Sequence, residues 1–180
     1  KFDETSGTFA ADSSGNGYAA TLNGGMSFSS DVPSALTSST RSVECDGVNG
    51  SRVTISDANA NSLFSGKSLL TVCLWLNPLV SETNKVWLEY GVGASKFSFE
   101  GNTSALTFYT NNGAAINTSF TAATWAHVAL RLDGTNKMIY KNGTEVQSTA
   151  FSAALQAGTG FVLGGRTVSL STNSRFDDLR

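Results

Sequence analysis

Apolar and polar residues alternate with a period of two in segments that recur every ~10 residues, separated by glycine and asparagine. This is the period of a β-strand with one face in a core. The clearest example places Val128, Leu130 and Leu132 on one face. Asn142-Gly143 predicts a two-residue hairpin, because both turn positions need a positive φ angle. We therefore predict one antiparallel meander with strands at Trp125–Asp133, Lys137–Lys141 and Thr144–Gln147.

The rest of the chain predicts further strands and a distinct N-terminal segment. Leu70–Leu76 is almost continuously apolar, as expected of a strand buried on both faces, and Pro78 ends it. Residues 1–40 are rich in Ser, Gly and Asn, and we expect either a flexible segment or a long loop packed on the core. Its isolated apolar anchors are Phe2, Phe9, Tyr18, Leu22, Met26 and Phe28. The other predicted strands are Val86–Tyr90, Lys96–Glu100, Ala105–Thr110, Phe161–Leu163 and Phe176–Arg180, and no segment predicts a helix.

Many short, evenly spaced strands predict an all-β fold, either a sandwich or a barrel. We predict one domain over residues 1–180, with residues 1–40 as a loop-rich segment packed on it. Cys45 and Cys73 lie in apolar strand patterns, where a free thiol acts as a small hydrophobe, and whether they are bonded stays open. The chain begins at Lys1 and stops within an apparent strand, so we expect a piece of a larger polypeptide.

Composition narrows the classes of partner. Only 14% of residues are charged, the net charge is −2, and no basic cluster occurs, which argues against binding to nucleic acid. No run approaches the ~18 apolar residues of a membrane-spanning helix, so membrane insertion is not expected. The surface is therefore built from Ser, Thr, Asn and Gly rather than from charge.

Several short motifs stand in one order along nearly the whole chain. They are Phe2–Gly7 with Ala11–Gly17, Val43–Gly47, Leu70–Pro78, Trp125–Ala129 with Asp133-Gly134, Tyr140–Gly143, and Phe176–Arg180. The set resembles the concanavalin A-like lectin/glucanase superfamily in its laminin-G-like form, with Cys45 where phenylalanine is usual. The resemblance implies an all-β fold in the form of a two-sheet antiparallel jelly-roll sandwich. It leaves function open, because this fold carries lectins, adhesion modules and glycosidases alike.

A calcium site is one candidate. The loop Asp12–Gly17 is rich in oxygen donors, and calcium takes six to eight oxygens, so one loop needs a partner. The resemblance implies a structural calcium ion where this loop meets the last strand, with Asp12, Asn16, Asp177 and Asp178 as ligands and Asp3 and Glu4 as further donors. The alternative is an ordinary turn, since Asp, Ser, Asn and Gly are common turn residues.

A glycan site is a second candidate, because such sites combine an exposed aromatic ring with amide and carboxylate groups. Strict alternation places Trp87 on the face of Lys85 and Glu89, which favours its exposure over that of Trp75 and Trp125. We therefore expect ligand contacts from these aromatic and amide side chains: Trp87, Tyr90, Tyr109, Asn111 and Asn112. Tyr18 is a further aromatic–polar grouping.

Catalysis is not expected. The glucanases that this chain resembles carry Glu-x-Asp-x-x-Glu on one strand, and here Glu44-x-Asp46 is followed by Asn49 in place of the last carboxylate. The only histidine, His127, lies in mid-strand without a nucleophile elbow nearby.

These observations favour a non-catalytic recognition or adhesion module that binds a glycan or another surface ligand. We expect it to belong to a larger protein that is extracellular or displayed on a surface. The alternative is a structural or assembly domain that attaches to a larger particle, such as a decoration, fibre or spike protein of a virion or an extracellular filament. A glycoside hydrolase is the weakest alternative and requires carboxylates outside the matched motifs.

Overall fold

The computed structural model describes residues 1–91, 97–102, 105–110, 113–166 and 170–180. Within these ranges the chain forms one helix, α1 (Asp57–Phe64), and fifteen strands. The strands are β1 (Phe9–Ala10), β2 (Ala20–Asn23), β3 (Ser27–Ser29), β4 (Ser42–Asp46), β5 (Arg52–Ile55), β6 (Leu69–Pro78), β7 (Thr83–Tyr90), β8 (Phe97–Asn102), β9 (Ala105–Thr110), β10 (Ile116–Ser119), β11 (Ala126–Asp133), β12 (Asn136–Lys141), β13 (Thr144–Ala150), β14 (Phe161–Leu163) and β15 (Asn173–Asp177).

The strands form two antiparallel sheets that pack face to face. The eight-stranded sheet has the order β1-β2-β5-β14-β7-β8-β9-β10, and the seven-stranded sheet has the order β13-β12-β11-β6-β15-β4-β3. The predicted all-β jelly-roll sandwich is therefore confirmed.

The predicted meander forms one end of the seven-stranded sheet. β11 pairs with β12, and β12 pairs with β13, in antiparallel register. The hairpin turn has φ angles of 50° at Asn142 and 82° at Gly143, as the Asn-Gly signal requires. Val128, Leu130 and Leu132 are buried on the inner face, as predicted from their alternation.

β6 is less buried than its composition indicates. Val72, Leu74 and Leu76 fill the core, whereas Cys73 and Trp75 on the alternate face are only half-buried. The expectation of burial on both faces is wrong for this strand, because its outer face stays in contact with solvent. The last strand is also displaced from the prediction, since β15 ends at Asp177 and Arg180 instead pairs through its backbone with Cys73.

The N-terminal 40 residues contribute three of the short strands and several core side chains. Phe2, Leu22 and Met26 are buried, as anchors should be. Phe9 is 57% exposed, so the expectation that it anchors the segment is wrong. Phe9 lies in a two-residue strand at the edge of its sheet and points away from the core that buries Ala10.

The helix α1 was not predicted from the sequence. Its Ser56 hydroxyl accepts a hydrogen bond from the Asn59 backbone N–H, which is the usual N-cap. Ala60 and Phe64 face the core, and the Phe64 ring stacks on Tyr90 at 4.7 Å between centroids. Eight residues with two buried positions give too short a pattern for helical periodicity to be recognised.

Both cysteines are free. Cys45 is wholly buried on the inner face, where its Sγ lies 3.3 Å from the Gly164 carbonyl oxygen. Cys73 lies on the outer face of the same sheet, opposite Ala129. The two thiols are thus separated by the sheet itself.

No helix in the described ranges has the length and hydropathy needed to cross a bilayer.

Candidate ligand-binding face

Trp87 belongs to the core, and its predicted exposure is wrong. The strand pairing of β7 with β8 slips between Val86 and Leu88, which marks a β-bulge. The bulge breaks the alternation and turns the indole inward, where it is wholly buried and its Nε1 donates to Ser174 Oγ on the opposite sheet at 2.8 Å. Gly101 makes the room, because a Cβ there would lie 1.4 Å from the indole ring.

Tyr90 is also wholly buried, so it is not an exposed ligand contact. Its hydroxyl donates to Asn61 Oδ1 at 2.8 Å and accepts from the Gly158 N–H at 3.1 Å. The side chain ties β7 to α1 and to the segment before β14. Its polar atom is used inside the protein, which explains why a tyrosine is tolerated there.

Tyr109 is half-buried on the outer face of the eight-stranded sheet. Its role as a ligand contact stays a prediction. Asn111 and Asn112 lie outside the described residues. We call this outer face the ligand face; its central strands place the following side chains on it: Glu89, Ser98, Glu100, Thr107 and Tyr109. The register sets Ser98 opposite both Glu89 and Tyr109, and Glu100 opposite Thr107.

Two glutamates and an arginine form the charged centre of this face, here called the Glu–Arg–Glu cluster. Arg166 Nε donates to Glu89 Oε1 at 2.8 Å, and its Nη2 donates to both Glu89 and Glu100, the latter at 3.3 Å. Ser98 Oγ donates to Glu100 Oε1 at 2.8 Å. The Glu89 side chain is only 5% exposed, whereas that of Arg166 is 34% exposed. Two carboxylates thus surround one guanidinium.

The electrostatics of the cluster follow from this geometry. The hydrogen bonds to Glu89 and the nearby carboxylates raise the pKa of Arg166 above its usual value, so the guanidinium stays charged. A bidentate arginine–carboxylate pair is also rigid. The cluster therefore offers a ligand acceptor oxygens in fixed positions and the N–H donors of the half-exposed Arg166 side chain. Tyr109 on β9 lies two strands away from Glu89 on β7.

The residues predicted for calcium fall into two separate hydrogen-bond networks. Asp12 accepts from Ser14 N at 2.8 Å, from Ser14 Oγ and from the Tyr18 N–H at 3.0 Å. The hydrogen bond from Tyr18 is the main cause that lowers the pKa of Asp12 to about 2. The Asn16 amide donates to Ser14 Oγ. Asp12 and Asn16 thus close a turn on itself, as in the alternative reading of the loop.

Asp177 and Asp178 are used elsewhere. Asp177 is wholly buried and accepts from Ser39 Oγ at 2.6 Å, and its burial raises the pKa of the carboxyl. Asp178 accepts from Arg180 Nε at 3.0 Å. Glu4 keeps one buried oxygen without a hydrogen bond, but no three His, Cys, Asp or Glu side chains converge anywhere in the described ranges. As arranged here these residues do not fit a calcium ion, which needs six to eight oxygens, and calcium binding stays a prediction.

The Glu–Arg–Glu cluster was missed from the sequence. Alternation through Phe97–Glu100 and Ala105–Thr110 was enough to place Glu100, Thr107 and Tyr109 together on a polar face. Arg166 gave no such signal, because it follows Gly164-Gly165 outside any predicted strand. Its partners come from strands 66 and 77 residues earlier in the chain.

The sequence of this β-sandwich matches a known protein family. A laminin-G family model of the concanavalin A-like lectin/glucanases superfamily matches residues 46–180. The chain belongs to this superfamily. The resemblance to this superfamily is thereby confirmed. A search of curated proteins found no match to this member of the superfamily.

Solved structures share the sandwich at low identity. Domain 4 of AbnA, an extracellular GH43 arabinanase from Geobacillus stearothermophilus, in complex with arabinotriose, is 20% identical with a TM-score of 0.69, covering 94% of this chain and 84% of that one. The botulinum neurotoxin serotype G binding domain is 12% identical, with a TM-score of 0.72 and coverage of 93% and 44%. The neurotoxin DC binding domain in complex with SialylT is 16% identical, with a TM-score of 0.71 and coverage of 93% and 43%.

The present superfamily member spans less than half the length of the toxin binding domains it matches. At these identities the likeness concerns the fold alone. It gives no residue of the ligand face a role by itself.

Proposed function

We propose that this domain is a non-catalytic recognition module that binds a glycan on the ligand face. The observation that carries the proposal is the Glu–Arg–Glu cluster on the same face as Tyr109. We propose further that the domain works in an extracellular or surface-displayed protein. Two structures that share the fold are complexes with arabinotriose and with SialylT, which supports a sugar as the ligand here.

The chemistry of the face suits a sugar. Ligand sites combine an apolar or aromatic surface with a few placed polar groups that fix orientation. Tyr109 offers a half-exposed ring on which the C–H face of a pyranose or furanose can lie. Arg166 and Glu100 supply the donors and acceptors that bind hydroxyl groups, and the hydrogen bond from the buried Ser98 hydroxyl helps to fix Glu100.

The same geometry argues against hydrolysis. A two-carboxylate glycosidase needs one side chain that carries a proton beside one that does not. Glu89 and Glu100 both accept hydrogen bonds from one guanidinium, so both side chains are held as hydrogen-bond acceptors. The cluster is thus suited to holding hydroxyl groups rather than to cleaving a glycosidic bond.

The test is a glycan array on the purified domain, run with calcium and again with EDTA, followed by titration calorimetry of the best sugar. Tyr109→Ala should weaken binding about 10-fold or more, as loss of a stacking aromatic contact does. Tyr140→Ala is the matched control, since Tyr140 lies on the seven-stranded sheet and bonds Glu145. Silence of the array in both conditions, or equal loss in the two variants, would contradict the proposal. Loss of binding in EDTA alone would restore the calcium hypothesis.

A second function, assembly into a larger particle, is favoured by one observation. β13 is a seven-residue edge strand, and six of its seven residues are exposed. The other edges in the described ranges are β1, β3 and β10, with two, three and four residues. A long exposed edge can pair with another chain. Concentration-dependent self-association would support this function in place of sugar binding.

A further inference from the structure

The two sheets enclose a cavity of about 310 Å³ at one end of the sandwich. Val53 and Ile55 of β5 line it from the eight-stranded sheet, and Leu70 and Val72 of β6 line it from the seven-stranded sheet. Leu63 of α1 closes one side, and the Asp12–Tyr18 turn lies over the opening. It lies between the sheets and is therefore separate from the ligand face, which is on the outside.

The cavity is the place where the core reaches solvent. Among the described residues, six partly buried hydrophobic side chains pack against the core, and five of them line this cavity. The five are Ala20, Ile55, Leu63, Leu70 and Leu179. Its volume equals that of about ten water molecules, at ~30 Å³ each. Water in so apolar a space forms few hydrogen bonds, so an apolar group that displaces it gains free energy.

The opening carries polar and charged groups. Arg180, 68% exposed, bonds Asp178 through Nε, and its guanidinium has further N–H donors. Lys1 also lines the opening, where its Nζ bonds Ser38. Asp12 is the opposing charge there, and its carboxylate is occupied by the N–H and hydroxyl donors of its own turn. Both cations at the opening contact a carboxylate, Arg180 that of Asp178 and Lys1 that of Asp3, and the remaining N–H donors of Arg180 can bind a further acceptor.

We propose that this cavity binds a small anionic amphiphile, such as a medium-chain carboxylate. The apolar part lies between β5 and β6, and the carboxylate accepts hydrogen bonds from Arg180 at the opening. Cavities of this size, mostly apolar and with a few polar groups, are typical of small-molecule sites. The inference is independent of glycan binding, because the two sites share no side chain.

The test is titration calorimetry of decanoate against the wild-type protein, with decanol as the uncharged counterpart. Leu63→Trp places a ring in the cavity and should lower the affinity for both compounds about 10-fold or more. Leu69→Trp is the matched control, because Leu69 is 69% exposed and does not line the cavity, and it should leave the affinity unchanged. Circular dichroism checks that both variants fold.

Arg180→Gln tests the head group and keeps the cavity intact. It should weaken decanoate several-fold and leave decanol unchanged. Absence of saturable decanoate binding to the wild type would overturn the proposal, as would an equal affinity in the Leu63→Trp variant. An equal effect of Arg180→Gln on both compounds would overturn the assignment of the anionic group to Arg180.

Discussion

At the scale of single residues, the most unusual side chain is Lys137. It points into the core from β12 and is wholly buried. Its Nζ donates to Thr110 Oγ1 at 3.0 Å and lies 5.4 Å from the centre of the Phe108 ring and 5.8 Å from that of Phe151. These contacts compensate only in part for lost hydration, and burial lowers the pKa of Lys137 to about 8.

The lowered pKa predicts a pH dependence of stability with a definite sign. Above pH 10.5, the ordinary value, the amine is neutral in both states. As the pH falls from 10.5 towards 8, the unfolded chain takes up the proton first, so the free energy of unfolding decreases. Below pH 8 both states are protonated, and the destabilisation remains in full.

We therefore expect Lys137→Met to raise the free energy of unfolding by about 2 kcal/mol at pH 7, because it removes a buried charge and keeps the volume. Urea unfolding at pH 7 and at steps between pH 8 and 10.5 measures this, and the variant should lose the wild type's rise in stability over that window. Lys67→Met is the control, since Lys67 is exposed. A destabilised Lys137→Met variant would show that the amine is needed where it lies.

At the scale of elements, Asn61 adds hydrogen bonds between helix α1 and its neighbours to the packing of Phe64. Asn61 Oδ1 accepts from the Tyr90 hydroxyl at 2.8 Å and from the Gly158 N–H at 3.2 Å. Its Nδ2 donates to the Gly158 carbonyl oxygen at 3.0 Å. The residue thus joins the helix, β7 and the segment before β14.

Asn61→Ala should lower the free energy of unfolding by about 2–3 kcal/mol, because it leaves buried polar groups without one of their partners. Equilibrium urea unfolding measures this loss. Asn59→Ala is the control, since Asn59 lies on the same helix and its side chain makes an exposed contact with Gly17. Equal, small losses in both variants would mean that the Tyr90 hydroxyl and Gly158 bind water instead.

The strands were predictable wherever alternation and turn residues agreed. β9 and β14 have the predicted bounds, and β11 begins one residue after its predicted start. Trp87 shows where this reasoning stops, because a bulge depends on the pairing of two strands and has no signature in one strand alone. In the candidate site, alternation is enough to place Glu100 and Tyr109 on one face, whereas Arg166 is brought there by long-range contacts that the sequence does not indicate.

At the scale of the whole molecule, the exposed edge of β13 is the feature that bears on whether the domain remains a monomeric binding module or self-associates. It carries a single charge, Glu145, and a bulge in its pairing with β12. Both features oppose edge-to-edge pairing. Val146, 45% exposed, is the apolar residue at the bulge.

Val146→Lys should leave the melting temperature within a few degrees of wild type, because the position is exposed. If the edge drives assembly, light scattering should show self-association of the wild type that this variant abolishes. Thr121→Lys, at an exposed site outside β13, controls for the added charge. A monomer at every concentration in all three proteins would contradict the assembly function and leave sugar recognition.

The hydrogen bond from Trp87 to Ser174 crosses the gap between the two layers, and this gives the molecule an intrinsic optical reporter. Trp75 and Trp125 are half-buried at the surface, whereas the Trp87 indole is shielded from water. Its fluorescence emission responds to hydration, so a shift to longer wavelength marks the moment at which the layers part. Loop fraying, which leaves the layers together, leaves the Trp87 indole shielded from water.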